Sequence, residues 1–193
     1  MRRAELPADT TALARWLVGK LVVRDLPEGR ITGRIVETEA YLPGDAACHA
    51  FRGITQRNRS LFLPAGHVYV YRAYGTCWML NLSGGADGVG AGVLIRAVQP
   101  LEGIALMRRA RGNVPERDLA RGPGRLAAAF DIDRSLDGID LTVPGPLWLA
   151  ADDAPAPDVG VSPRIGITKD ADRPLRFYRR FCRFVSGPGR LNL

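Results

Sequence analysis

Apolar and polar positions divide the chain into short elements of two periods. From Ala8 to Val22, Leu13, Trp16, Leu17 and Leu21 recur at helical spacing, with Asp9 or Thr10 placed to cap the first turn, which predicts one amphipathic helix. Gly29 interrupts the chain, and the β-branched run from Ile31 to Tyr41 predicts a strand. Alternate strand side chains point to opposite faces, so Ile35, Glu37, Glu39 and Tyr41 are expected on one side. A polar loop over 42–64 follows, containing Pro43-Gly44-Asp45 and Arg52, Arg57 and Arg59, and loops of that length usually serve function or stay disordered.

His67–Arg72 and Cys77–Leu82 predict two strands of a hairpin, with Tyr74 exposed at its tip. Five glycines from Gly84 to Gly92 lead into a strand over Val93–Val98, where Arg96 lies among apolar neighbours and, if buried, needs a partner. Helices are predicted from Pro100 through Arg109 and from Gly122-Pro123-Gly124 through Phe130. Short strands are predicted over Ile139–Val143, Leu147–Ala150 and Arg164–Thr168, with a surface loop over Asp152–Pro157. Strands and helices do not alternate regularly and no repeat is seen, which favours one mixed α+β domain over residues 1–193 rather than a doubly wound sheet.

A chain of 193 residues with 46% apolar content can bury a core without disulfides or metal. No apolar run is long enough to cross a bilayer and no secretory segment follows Met1–Pro7, so the expected location is cytoplasmic. Cys48, Cys77 and Cys182 lack paired spacing, which predicts reduced, buried thiols rather than a zinc site.

Charge distribution adds more than the net charge of +7. From Ala46 to Ala86 there is no acid but there are Arg52, Arg57, Arg59 and Arg72, and from Arg173 onward Arg173, Arg176, Arg179, Arg180, Arg183 and Arg190 again stand without an acid. Acid-free basic windows suit a phosphate-tracking surface, because a carboxylate beside a polyanion cancels the gain from counterion release. A solvated basic face without a ligand remains the alternative.

Two features bear on chemistry. Glu39 near the end of an apolar strand is costly unless solvated, paired or used, which makes it a candidate base. By spacing alone, an edge-strand carboxylate paired with an arginine ranks ahead of that role, and Glu37 fits the paired description better. Tyr41, Tyr69, Tyr71 and Tyr74 interleave with arginine, as nucleobase stacking requires, although strand tyrosines with wet hydroxyls are commoner.

Glu37-Thr38-Glu39-Ala40-Tyr41, His49, Arg57-Asn58, Gly66-His67-Val68-Tyr69-Val70-Tyr71, Tyr74-Gly75, Asn81, Leu94-Ile95-Arg96-Ala97, Pro100-Leu101-Glu102-Gly103, Gly122-Pro123 and Pro174-Leu175-Arg176-Phe177-Tyr178 occur in order over nearly the whole chain. This series resembles the alkyladenine (3-methyladenine) DNA glycosylase family. The resemblance implies a single domain with a curved, largely antiparallel sheet, flanking helices and a protruding hairpin. It further implies a monofunctional enzyme that needs no metal or organic cofactor, flips alkylated or deaminated purines out of double-stranded DNA, and hydrolyses their glycosidic bond.

Carried over by motif, Glu39 would activate the attacking water, and Arg96 would help to hold it together with the main chain at Ile165. Tyr41 and His49 would line one side of the flipped base and Tyr71 the other. Asn81 would crowd the exocyclic amino group of normal guanine, and Tyr74 would enter the duplex in place of the extruded nucleotide. Arg52, Arg57, Arg59 and Arg72 are the expected phosphate contacts, while His67 is expected to be structural. Thr76 and Met79 depart from the family pattern beside the wedge. A monomer without an obligate protein partner is expected. The competing class is a non-catalytic nucleic-acid-binding domain, which the basic windows and tyrosines would serve equally well. Gly122-Pro123-Gly124 alone hints at a helix-hairpin-helix glycosylase, but the two helices and catalytic aspartate of that class are not evident.

Overall fold

A computed structural model describes residues 1–73 and 75–192. Its centre is β2 (Gly29–Tyr41), preceded by α1 (Thr10–Leu17) and β1 (Leu21–Leu26). Then come β3 (Val68–Ala73), β4 (Cys77–Ser83), β5 (Gly92–Glu102), α2 (Ile104–Arg111), α3 (Pro123–Ala129), β6 (Leu147–Ala150), β7 (Val159–Ser162) and β8 (Arg176–Arg179). The strands pair in the order β3-β4-β5-β2-β1-β6, with β8 on β2 and β7 on β8. Every pairing is antiparallel, giving a curled half-barrel with flanking helices, an α+β domain of the kind the sequence pattern predicts.

The length of β2 is what builds the site. Residues 29–34 pair with β1 along one edge and Glu37–Glu39 pair with β8, while the opposite edge pairs with β5. The β2–β5 register skips at Val36, between Ile35↔Val98 and Glu37↔Ala97. Such a bulge reverses the alternation. Ile35 therefore packs in the main core, whereas Val36 packs with Ala97, Tyr178, Phe184 and Val185. The expectation that Ile35 shares a face with Glu37, Glu39 and Tyr41 is corrected accordingly.

The main core lies between the sheet and α1 and α3, through Leu13, Leu17, Ile35, Leu80, Val93, Leu126 and Phe130. Asp9 caps α1, its side chain accepting the Ala12 N–H at 2.7 Å. The helix ends at Leu17, because Val18 is extended and Gly19 has φ +97°, and β1 begins where the helix was expected to continue. β5 likewise runs on through Pro100 to Glu102, and α2 starts only after Gly103, whose φ of +72° makes the turn. A Cβ at Gly103 would stand 2.3 Å from the Arg30 carbonyl oxygen, so only glycine fits there.

The hairpin β3–β4 pairs from Val68↔Leu82 to Ala73↔Cys77, but β4 meets β5 only over Asn81–Ser83, so its outer half projects beyond the sheet. Tyr74 lies outside the described residues. The strand expected over Ile139–Val143 is instead a segment that covers the free edge of β3 by single bonds, Val68 N–H to the Ile139 carbonyl and Gly138 N–H to the Val68 carbonyl. The strand expected over Arg164–Thr168 is a loop, with β7 lying just before it. α3 is a short helix packed on β4 and α2, and Gly122-Pro123-Gly124 opens it rather than forming a turn between two helices. Of the three free cysteines only Cys48 is buried, and Cys77 is exposed.

Candidate active site

Beyond the bulge, β2 points Glu37, Glu39 and Tyr41 away from the main core, and β5 brings Arg96 against them. Both carboxylates are fully buried, on a central strand rather than the expected edge. Arg96 joins them. Its Nε donates to Glu37 Oε1 at 2.9 Å and its NH1 group lies 3.2 Å from Glu39 Oε1.

The partners of the two glutamates differ. Glu37 also accepts from Arg176 Nε at 2.7 Å and from the Ser186 N–H at 2.7 Å. Burial opposes its charge, yet Arg96, Arg176 and Ser186 outweigh that and hold its carboxyl below the usual carboxylate range. Glu39 accepts the Ile165 N–H at 2.7 Å on Oε1 and the Tyr41 hydroxyl at 2.9 Å on Oε2. Burial dominates here and raises its carboxyl above the usual range, against the pull of Arg96, Ile165 and Tyr41. Neighbouring carboxyls pushed in opposite directions, one raised by burial and one held ionised by two arginines, are the pattern expected where one group does chemistry and the other supports it.

Arg96, Ile165 and Tyr41 all line a cavity of about 490 Å³, and Glu39 sits immediately behind them. Tyr69, Tyr71, His49, Asn81, Arg57 and Arg72 complete much of its wall. The rings of Tyr69 and Tyr71 stack at 5.5 Å, and His49 meets Tyr71 edge-on at 4.3 Å. His49 Nδ1 lies 2.9 Å from the Tyr69 hydroxyl, so that tyrosine is anchored rather than wet. Burial of one side of the imidazole, and then Arg57, lower the His49 pKa below its ordinary 6.5, leaving the ring neutral near pH 7.

Opposite, Tyr41 is backed by the Arg164 guanidinium at 4.6 Å from its ring. Arg164 is buried, paired with buried Asp45 and bonded to the Ala40 carbonyl at 3.0 Å, which fixes the wall from behind. The Asn81 amide donates to the Tyr69 carbonyl at 3.1 Å and the Met79 carbonyl at 3.4 Å, so its side chain cannot swing aside. The cavity is thus aromatic on facing sides with a carboxylate behind one of them, a shape for a flat ring system with a reacting bond at its edge.

Tyr41, His49, Tyr71, Asn81, Arg96 and Ile165 therefore line one cavity, with Glu39 held behind Tyr41, Arg96 and Ile165. Arg57 and Arg72 reach the same cavity, whereas Arg52 and Arg59 are exposed outside its lining. His67 bonds the Pro64 carbonyl through Nδ1 at 2.7 Å, a local loop contact. The basic tail is only partly a surface: Arg176 is fully buried, and Arg180 lies 3.6 Å from Asp158. Arg176 and the Asp45–Arg164 pair were not foreseen as parts of the site, since nothing in sequence separates a buried arginine from its exposed neighbours. Among the described residues, no helix is long and apolar enough to cross a membrane, and no cluster of His, Cys, Asp and Glu is arranged to hold a metal ion.

A family model described as Methylpurine-DNA glycosylase (MPG) matches residues 4–183. A Mesorhizobium japonicum protein named "Putative 3-methyladenine DNA glycosylase" is 68% identical over 186 residues, covering 96% of this chain and 89% of its own length. Proteins of the same name from Paraburkholderia phytofirmans and Rubrobacter xylanophilus are 51% and 47% identical, covering 98% and 83% of this chain and 89% and 84% of their own lengths. The chain belongs to the methylpurine-DNA glycosylase family: it is a DNA-3-methyladenine-type glycosylase, a hydrolase of DNA repair that acts on damaged DNA.

Proposed function

We propose that the chain flips alkylated or deaminated purines out of duplex DNA and hydrolyses their N-glycosidic bond with a water activated by Glu39. 3-Methyladenine, 7-methylguanine, hypoxanthine and ethenoadenine are the substrates. The observation that carries this reading is the buried Glu39 carboxylate, raised in pKa and held by three groups that all line one aromatic cavity.

Cleavage builds positive charge on the sugar while the purine leaves with the bonding electrons. A carboxylate beside that carbon stabilises the charge and takes a proton from the incoming water. Arg96 and the Ile165 N–H orient Glu39 Oε1, and with the Ile165 main chain Arg96 helps to hold the water. Tyr41 covers one face of the flipped purine and Tyr71 the other; His49, expected beside Tyr41, instead packs on Tyr71 at 4.3 Å, too close to admit a base between them, and so belongs to the Tyr71 side. A cationic alkylated base gains about 0.5–2 kcal/mol over such rings. A neutral His49 does not repel it.

Asn81, locked on the main chain, crowds the exocyclic amino group of normal guanine. Tyr74 fills the space left by the extruded nucleotide, since base extrusion costs on the order of a few kcal/mol and a wedge offsets lost stacking. Arg52, Arg57, Arg59 and Arg72 bind phosphates. Residues 1–193 act as one domain, a cytoplasmic monomer that needs no obligate protein partner.

The direct test is incubation with duplexes carrying one hypoxanthine, ethenoadenine or 7-methylguanine, followed by alkaline cleavage of abasic sites. Shortened strands are expected from at least one lesion. Uncleaved strands from all three would contradict the reading.

A further inference from the structure

Behind Glu39 lies a second layer that does not reach the cavity. Arg176 is fully buried and absent from the cavity wall, yet it stands opposite Glu39 in the β2–β8 register and sends its Nε to Glu37 Oε1, the same oxygen that accepts Arg96 Nε. Its remaining nitrogens donate to Ser162 Oγ at 2.8 Å, the Ser186 carbonyl at 3.1 Å and Asn192 Oδ1 at 2.6 Å, which fixes the guanidinium in the fold. Two carboxylates and two guanidiniums are thus balanced in one buried cluster, with Arg96 shared between Glu37 and Glu39.

We propose that Arg176 is a positioning residue for hydrolysis: by neutralising Glu37 it leaves Arg96 free to hold Glu39 in its ionised, water-activating form. The proposal rests on Glu39 acting as base. Without Arg176, one cation would serve two buried carboxylates, and like charges in a shared site resist joint ionisation. Arg96 would be drawn to Glu37, and Glu39 would take up a proton at higher pH.

The groups facing Glu39 support that assignment from every side. β2 supplies Glu37 and the Tyr41 hydroxyl, β5 supplies Arg96, and β8 supplies Arg176. The loop after β7 supplies the Ile165 N–H and, behind Tyr41, Arg164, whose charge is matched by Asp45. Tyr71 on β3 faces Tyr41. No imidazole contacts the pair among the described residues, and His49 is engaged across the cavity with Tyr69. Glu37, Arg176, Arg164 and Asp45 all stand off the cavity wall, but of these only Glu37 and Arg176 bond into the cluster that contains Arg96, so an effect at Arg176 reaches Glu39 through Glu37 and Arg96.

The test is the pH profile of single-turnover excision for wild type, Arg176→Met, Arg176→Lys and the double variant Glu37→Gln/Arg176→Met, each checked by thermal melting. Arg176→Met should move the acid limb upward by about one pH unit, a roughly tenfold loss at acid pH that shrinks in alkali. Arg176→Lys should keep it within a few tenths of wild type. The double variant, which restores charge balance, should bring the limb back.

An unmoved acid limb in a folded Arg176→Met protein would overturn the proposal. If that variant does not fold, a displaced limb in Arg176→Lys or in the double variant would overturn it instead. Failure of the underlying reading looks different: Glu39→Gln would then retain the wild-type acid limb, whereas failure of the proposal alone leaves that limb dependent on Glu39 and indifferent to Arg176.

Discussion

Tyr41 donates its hydroxyl hydrogen to Glu39 Oε2 across 2.9 Å, from two residues further along the same strand. One segment therefore carries both a wall of the cavity and the carboxylate behind it, and the hydroxyl is one of three contacts that favour the charged form of Glu39.

Tyr41→Phe keeps the ring but removes that contact. Because the hydrogen bond lowers the Glu39 pKa, its loss should raise it, and activity should fall most in acid. About a tenfold loss near pH 6, narrowing to a few-fold near pH 8, is expected in excision rates. Equal losses at both pH values would show that the hydroxyl does not act through Glu39.

The two glutamates should respond oppositely in stability. Glu37 has a lowered pKa in the fold, so it stabilises the protein above its unfolded value near 4.5, and that contribution is lost as pH falls through the lower folded value. Glu39 has a raised pKa, so the advantage it gives below 4.5 is lost as pH rises through the higher folded value, and the ion costs stability in alkali. Urea melts at pH 8 should show Glu37→Gln less stable than wild type by about 3 kcal/mol, the cost of breaking a buried ion pair, with Glu39→Gln no less stable. A comparable drop for both would contradict the division of roles.

Asn81→Ala should open the cavity beside the base. Excision of normal guanine, measured from a mispair, should rise relative to hypoxanthine by roughly tenfold, the scale of small pocket changes. An unchanged ratio would remove Asn81 from the selectivity mechanism.

Tyr74→Ala should lose most activity on well-stacked duplexes and least on single strands or mispairs, where extrusion is already cheap. Equal losses on every substrate would argue against a wedge.

Much of the molecule was legible in the sequence because local pattern and structure agree there: β3, β4, β6 and α3 lie within a residue or two of their expected spans. The failures have physical causes. Leu13, Leu17 and Leu21 continue a helical spacing across Gly19, which extends the expected helix to Val22 over the start of β1, although Val22 and Val23 suit a strand. The bulge at Val36 is invisible to a period-two count, which put Ile35 on the wrong face. The cavity residues came from motif order, not from spacing, by which Glu39 ranks as an edge-strand carboxylate paired with an arginine. Its pairing proved real but buried, and the second arginine of the cluster, Arg176, lay hidden in a run that reads as solvated charge.

The most direct measurement is single-turnover excision of hypoxanthine by Glu39→Gln at pH 7–8, alongside binding of the same duplex. A loss of about a hundredfold to ten-thousandfold with binding retained is expected when a general base is removed. The wild-type acid limb, placed above 4.5 by the raised carboxyl, should vanish with it. Excision within a few-fold of wild type, with the acid limb intact, would contradict Glu39 as the group that activates water.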